Sequence, residues 1–434
     1  MSTLVRSDLA PLVQEKRHAF AARNRESARL HDEARRFLPG GHTRTILSHE
    51  PFPLTFVRGE GAVLVDADGH EYVDLLGDYT AGLFGHGERR VLDAVDTALR
   101  KLASVGGVHP REAELAGLMC DRFGLDRVRF TNSGTEANLM AITAARHLTG
   151  RSKVLVFHGG YHGGVLFFSD GVAPWNAPYE FVVAPYNDLA ATSALIDKHA
   201  DGLAAVLVEP MLGSGGCIPA AAEFLRGVFE AAHGVGAVCI ADEVMTSRHG
   251  RAGLAALLGA KPDIRTFGKY VGGGFSFGAF GGTAELLDQF DGSRAGSIPH
   301  AGTFNNNVAT MTAGCVVLGE LYTADTAEAH SARGERFRAD VADVIGRHGL
   351  PVSVSGYGSM LALHALHEAP VDGAESARRD PALQELLFLG LFERGIYTAP
   401  RGMVNLSLPL TDAQLDTALE ALDGTLAELG GRLH

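Results

Sequence analysis

Lysine carries the amine that can condense with an aldehyde, and Lys269 stands where such chemistry is possible. It follows Thr266-Phe267-Gly268 and precedes Tyr270-Val271 and three glycines, Gly272 to Gly274. The glycines leave room for a bound group to reach the amine. A phosphate-binding P-loop is the obvious rival for a Gly-Lys pair, but the GxxxxGK[ST] pattern is missing. Asp242 closes the apolar run Ala237 to Ala241, where a carboxylate is costly to bury without a cationic partner. A protonated aromatic nitrogen would serve. An arginine ion pair or a plain helix cap would explain the residue as well.

Other segments extend the same pattern. Phe130-Thr131-Asn132-Ser133-Gly134-Thr135-Glu136-Ala137 follows a strand pattern and opens a helical one. Its free N–H groups, with the hydroxyls of Ser133 and Thr135, can hold a phosphate at a positive helix end, or the segment is an ordinary capping box. In Gly159-Gly160-Tyr161-His162-Gly163-Gly164 the Tyr161 ring can lie flat on a planar group, or pack in the core beside a satisfied His162. Glu209, in Val208-Glu209-Pro210, either orients polar neighbours at a strand end or is a solvated cap. Val244, two residues past Asp242, can face the same way and cover a ring. Thr303, in Gly302-Thr303-Phe304-Asn305-Asn306-Asn307, offers another hydroxyl in a turn, as a second phosphate ligand or as surface. Read together, these residues suit pyridoxal 5'-phosphate (PLP). Lys269 would hold it as a Schiff base, and Asp242 would keep the ring nitrogen protonated, which makes the ring an electron sink.

The elements that must carry these residues alternate between helices and short apolar strands from about 90 to 325. The strands are expected at Val128–Phe130, Lys153–Phe157, Ala204–Val208, Ala237–Ala241 and Ile264–Phe267. Such alternation predicts an α/β fold with a mainly parallel sheet covered on both faces, whose ligands sit beyond the carboxyl ends of the strands. Residues 1–38 predict a helical arm ending at Pro39-Gly40-Gly41, and Phe52 to Leu75 an antiparallel meander. Beyond about 330 an amphipathic helix, strand pieces around Pro351 to His364 and a last helix from Asp412 predict a small α+β domain. The expected division is 1–75 as arm and part of the small domain, 76–328 as the large domain, and 329–434 as the C-terminal small domain.

Bulk properties narrow the function. The 434 residues are 46% hydrophobic and 21% charged, an ordinary globular balance. A net charge of −13 argues against nucleic acid or an anionic membrane as partner and favours a small molecule. Cys120, Cys217, Cys239 and Cys315 lack CxxC spacing and read as reduced thiols, with no metal expected. The N-terminus has no apolar leader core, and no apolar stretch reaches the ~18 residues of a membrane span. A cytoplasmic location is expected.

In order along the chain, SGTEAN, GGYHGG, EPM, DEVMTSR, GKYVGGG and GTFNNN resemble the motifs of the class III aminotransferases. These are fold-type I PLP enzymes with a large sheet of seven-stranded type and a smaller α+β domain. The resemblance runs from about Pro39 to Leu422. It implies phosphate contacts from Ser133, Gly134 and Thr135, ring stacking by Tyr161, a salt bridge from Asp242 to the ring nitrogen and the Schiff base at Lys269. Thr303 would reach the phosphate of a neighbouring subunit, which implies a homodimer with shared sites.

Within the class, Met245 departs from the Gln that many ω-amine transaminases carry after Asp-Glu-Val. That places the chain nearer glutamate-1-semialdehyde aminomutase and the β-amino-acid aminotransferases. Gly41 to Thr45, Pro51 to Thr55, Asp78 to Gly82 and Tyr397 to Gly402 resemble the β-phenylalanine branch most. An aminotransferase takes two substrates in turn, and a bidentate guanidinium suits the carboxylate of each. By resemblance Arg44 would hold the carboxylate of a β-amino acid and Arg401 that of 2-oxoglutarate, with Tyr79, Leu83 and Phe84 lining the side-chain pocket. Either arginine alone could equally be a surface ion pair. The implied reaction moves an amino group from a β-amino acid to 2-oxoglutarate or pyruvate. Its rivals are an internal 1,2-amino shift of aminomutase type, an ω-amine transaminase, and a silent binding protein on the same fold.

Overall fold

A computed structural model describes residues 9–433. The seven-stranded sheet has the spatial order Arg127–Thr131, Gly278–Gly282, Ile264–Gly268, Val238–Asp242, Leu203–Val208, Lys153–Phe157, Glu180–Ala184. All neighbours run parallel except Gly278–Gly282, which is antiparallel to both strands beside it. The expected strands fall within one or two residues of their places. Glu180–Ala184 and Gly278–Gly282 are additions. The second reads GAFGG because two of its glycines run against backbone: a Cβ on Gly278 would lie 2.1 Å from the Ser133 carbonyl, and one on Gly282 2.0 Å from that of Asp263. Neither strand pattern nor bulk marks such a segment as sheet.

The middle strands are apolar throughout because helices bury both faces. The helix Gly134–Thr149 lays Ala137, Ala141, Ala144 and Ala145 on the sheet, all fully buried, so it packs close. It begins at Ser133, whose hydroxyl accepts from Glu136 N (3.2 Å), and ends at Gly150 with φ +66°.

Beyond the sheet, the long helix Ala324–Gly346 leads to an antiparallel sheet of Ser353–Tyr357, Met360–His364 and Met403–Asn405, packed with helices Pro381–Glu393 and Asp412–Leu433. The meander forms as Phe56–Glu60, Val63–Asp66 and Glu71–Asp74, within the expected Phe52 to Leu75. Ile396–Tyr397 joins it in parallel, with Ile396 opposite Val73. The N-terminal arm is two helices, Ala10–Arg23 and Arg25–Ala34, broken at Asn24 (φ −117°, ψ 55°). The first is tied to the C-terminal part by Lys16, which bonds Glu393 at 2.5 Å and Glu428 at 2.6 Å. Among the described residues no helix is long and apolar enough to cross a membrane.

Candidate active site

Five strands that run in the same direction end on one edge of the sheet, and the residues at or just past their ends come together. In register, Asp242 lies opposite Thr266, so Lys269 leaves the neighbouring strand three residues further on. Asp242 is buried and has no arginine or lysine partner among the described residues. Its Oδ2 accepts from Asn138 Nδ2 (2.8 Å) and His162 Nδ1 (2.7 Å). Its Oδ1 accepts from Val244 N (3.0 Å) and lies 3.4 Å from the Thr266 hydroxyl, whose proton is directed to Asn138. The arginine pair considered for Asp242 is therefore excluded, while capping holds only for the short turn to Val244. Oδ1, with one good bond and one long contact, keeps capacity for a further donor. Arg265, in the next strand, pairs with Glu243 instead, and its Nε bonds Glu243 Oε2 at 2.6 Å.

Lys269 has φ +54°, a strained conformation for a residue with a Cβ, worth on the order of 1 kcal/mol. It is half-buried, in contact with solvent yet surrounded by protein. Burial lowers its ammonium from the ordinary value to about 8, with Arg401 and Arg44 adding to the effect and Asp78 and Asp242 opposing it. An amine held there stays mostly protonated at neutrality, but its free, nucleophilic fraction is far larger than that of an ordinary lysine.

Val244 is wedged between two glycines: a Cβ would come within 2.7 Å of it from Gly134 and within 3.0 Å from Gly268. Gly163 has φ +125°, and a Cβ there would lie 2.1 Å from the Thr135 hydroxyl. The Ser133-Gly134-Thr135 turn thus lies against Val244 and against the turn that carries Tyr161, and Val244 in turn lies against Gly268, next to Lys269. The Tyr161 ring is partly exposed, edge-on to Phe167 with centroids 5.7 Å apart. Thr303 is exposed on a turn whose Asn305 accepts from Asn132 at 2.9 Å, next to Ser133.

Glu209 is buried, and its two oxygens accept from Tyr161 N and Gly213 N, both at 2.9 Å. Burial pushes its carboxyl up to about 7, His162 pulls it down and Asp242 pushes it further up. The solvated-cap alternative is excluded by that burial.

The two arginines converge on Tyr79. The Arg401 guanidinium lies 5.1 Å from the ring centroid and that of Arg44 5.9 Å. Among the described residues Arg401 has no carboxylate partner; it bonds Ser214 Oγ (3.2 Å) and Met403 Sδ (3.6 Å), and its Nε finds no partner there. Burial lowers its pKa. Arg44 is half-exposed and bonds Asp78 Oδ1 at 2.8 Å. Gly77, Asp78, Tyr79 and Thr80 are all left-handed, with φ of 52°, 42°, 52° and 81°. This segment and the Arg401 loop are stitched together: Leu75 N donates to Tyr397 O (2.9 Å) and Asn405 N to Leu75 O (2.6 Å).

Sequence reasoning missed Asn138, Thr266, Asp78 and Ser214, and passed over His162 as a core residue. Thr266 donates to Asn138 Oδ1 (2.8 Å), so the two form a second ring of bonds around Asp242. Asn138 was visible as a polar residue on a helix face of alanines. His233, Cys239 and Asp263 also cluster, at the opposite edge of the sheet, but Asp263 Oδ2 already accepts from Cys239 N (2.7 Å) and His233 Nε2 (2.9 Å).

The donor set suits a flat heteroaromatic cation bearing a phosphate: a buried anion with capacity left, a helix N-terminus with hydroxyls, a covering Val, and an amine beside them. Residues 47–426 match the family model "Aminotransferase class-III". The chain is 46% identical to the "Beta-phenylalanine transaminase" of Variovorax paradoxus over 95% of either chain. It superposes on the crystal structure of a β-phenylalanine aminotransferase from that organism with TM-score 0.96 and 44% identity, covering 98% of both. It is also 35% identical to a glutamate-1-semialdehyde 2,1-aminomutase of Heliobacterium modesticaldum, over 92% of this chain and 95% of that one. A buried aspartate beside a low-pKa lysine, on this sheet and with these relatives, means that the chain belongs to the class III aminotransferases, enzymes that work with pyridoxal 5'-phosphate.

Proposed function

We propose that this aminotransferase takes the amino group of a β-amino acid of β-phenylalanine type and passes it to 2-oxoglutarate or pyruvate in a ping-pong sequence. The observation that carries this reading is the pair of guanidinium groups on one tyrosine ring, at 5.1 and 5.9 Å. A β-amino acid places its carboxylate one carbon farther from the amine than an α-amino acid does, so two anchors at different reach suit a donor and an acceptor of different length. Arg44 binds the donor carboxylate and Arg401 the acceptor's. The resemblance to the Variovorax enzyme supports the donor class.

When bound, PLP supplies an aldehyde for amine attachment and a ring that takes up the electron pair released at the substrate carbon. The protein does the rest. Lys269 Nζ would hold the cofactor and, once released, move a proton at the carbon bearing the amine. Asp242 balances the positive ring nitrogen, itself steadied by Asn138, His162 and Thr266. Ser133, Gly134 and Thr135 would hold the phosphate, Val244 and Tyr161 would cover the ring, and Glu209 steadies the Tyr161 turn. Thr303 completes the phosphate site of a second subunit, which makes the working unit a homodimer. The division that goes with this reading is 76–328 as the large domain, the described part of 1–75 as an arm and part of the small domain, and the described part of 329–434 as the rest of the small domain. The four unpaired cysteines support a cytoplasmic location.

The test is a panel of α-, β- and ω-amino donors against 2-oxoglutarate and pyruvate, with the cofactor's absorbance followed. Aromatic β-amino acids should bleach the resting band and give glutamate or alanine only when an oxo acid is present. Turnover of a semialdehyde without any acceptor would favour the aminomutase chemistry of the 35% identical relative.

A further inference from the structure

Glu209 is buried with no bonded cation among the described residues, a costly arrangement that two amide hydrogen bonds offset only in part. Its two oxygens point to different turns. One holds Tyr161 N, in the turn after the strand Lys153–Phe157. The other holds Gly213 N, and the next residue, Ser214, bonds the Arg401 guanidinium through its hydroxyl at 3.2 Å. Its own carbonyl is fixed as well, by the Tyr186 hydroxyl at 2.8 Å. The Gly213 turn has no slack: a Cβ on Gly213 would lie 2.4 Å from Met245 Sδ, and one on Gly215 2.9 Å from the Gly159 carbonyl. Glu209 and Arg401 act on each other electrostatically but do not touch. A carboxylate bonded directly to Arg401 would compete with any ligand carboxylate. One turn removed, it lends negative charge to the guanidinium and leaves the N–H fork open.

We propose that Glu209 is a positioning residue that, through the Gly213-Ser214 turn, sets Arg401 for the carboxylate of the oxo acid while it holds the Tyr161 turn. This rests on Arg401 being the acceptor anchor, as set out above. Removing either link from Glu209 to Arg401 weakens binding of the acceptor and spares that of the donor.

The experiment is steady-state kinetics of the holoenzyme, with KM measured separately for donor and oxo acid, on Ser214→Ala, Glu209→Gln and the double variant. Gln keeps the shape of Glu but presents a donor to one of the two amides. Ser214→Ala should raise the oxo-acid KM about fivefold to tenfold, as expected for one charge-assisted bond, with the donor KM within about twofold. Glu209→Gln should raise the oxo-acid KM more than the donor KM, because loosening the Tyr161 turn burdens both half-reactions alike while loss of the Ser214 link burdens only the acceptor, and the double variant should be no worse than the worse single. Equal increases in both KM values, a loss confined to thermal stability, or additive effects in the double variant would overturn the proposal. Ser214 is only half-buried, so its variant gives an answer even if Glu209→Gln does not fold. A wild-type enzyme that bleaches with the donor but transfers to no oxo acid would instead refute the functional reading on which this one stands.

Discussion

Asp242 is the last residue of one strand and Lys269 the first beyond the next, and parallel pairing of Asp242 with Thr266 fixes their separation. Anion and amine are therefore placed by backbone hydrogen bonds, the stiffest part of the molecule, and not by loops. The side chains that surround them, Asn138, His162 and Thr266, come from a helix, a turn and the adjoining strand.

Replacing the amine tests the placement directly. Lys269→Ala should abolish transamination and still retain part of the cofactor through its phosphate. Activity assays with equilibrium dialysis of PLP would check this, and full activity in the variant would contradict the assignment.

The same amine should leave a mark on stability. In the cofactor-free protein the unfolded chain keeps its Lys269 proton up to about pH 10.5 and the folded chain only up to about 8. Between those values unfolding takes up a proton, so stability rises with pH, whereas below about 8 the folded state carries the whole penalty of the buried charge. Lys269→Met should thus be more stable than wild type near pH 7, and the gap should close toward pH 10. Urea unfolding of both at the two pH values measures it.

Asp242→Asn keeps the hydrogen-bonding shape but not the charge. A fall in kcat of about 10²-fold or more is expected, the scale of losing one preorganised electrostatic partner, with little change in melting temperature. A fall of less than threefold would detach Asp242 from the chemistry.

Arg44→Ala should raise KM for a β-amino acid by about tenfold or more and that for 2-oxoglutarate by much less, as befits loss of one guanidinium–carboxylate pair. Paired KM measurements decide it. Equal losses would remove its role as the donor anchor.

Glu243, next to Asp242 but on the other side of the strand, tests structure and not chemistry. It is fully buried against Arg265, which also donates to the carbonyls of Phe123 and Ala252. Glu243→Ala would leave the guanidinium uncompensated and should cost about 3–5 kcal/mol, read from denaturant unfolding.

The strands that carry the candidate site were legible because buried parallel strands are continuous apolar runs, and the residue that ends each run stands out by contrast. Asp242, Glu209 and Lys269 were found this way. What escaped lacked that contrast. Gly278–Gly282 is a strand made of residues that disfavour strands, chosen because neighbouring backbone leaves no room for a Cβ. Asn138 and His162 matter only through a carboxylate 104 and 80 residues away, a pairing that no local pattern encodes. The left-handed run Gly77 to Thr80 contains one glycine, so composition does not announce it.

The backbone bonds from Leu75 to Tyr397 and Asn405 have a consequence for redesign. The segment that carries Asp78 and Tyr79 and the loop that carries Arg401 are cross-braced, so neither can be transplanted alone. A chimera that imports residues 398–402 from an enzyme of other acceptor preference, and keeps 75–80 from this one, would mate mismatched halves of a single jaw. Exchanging both stretches as one cassette is the route that respects how the chain is built.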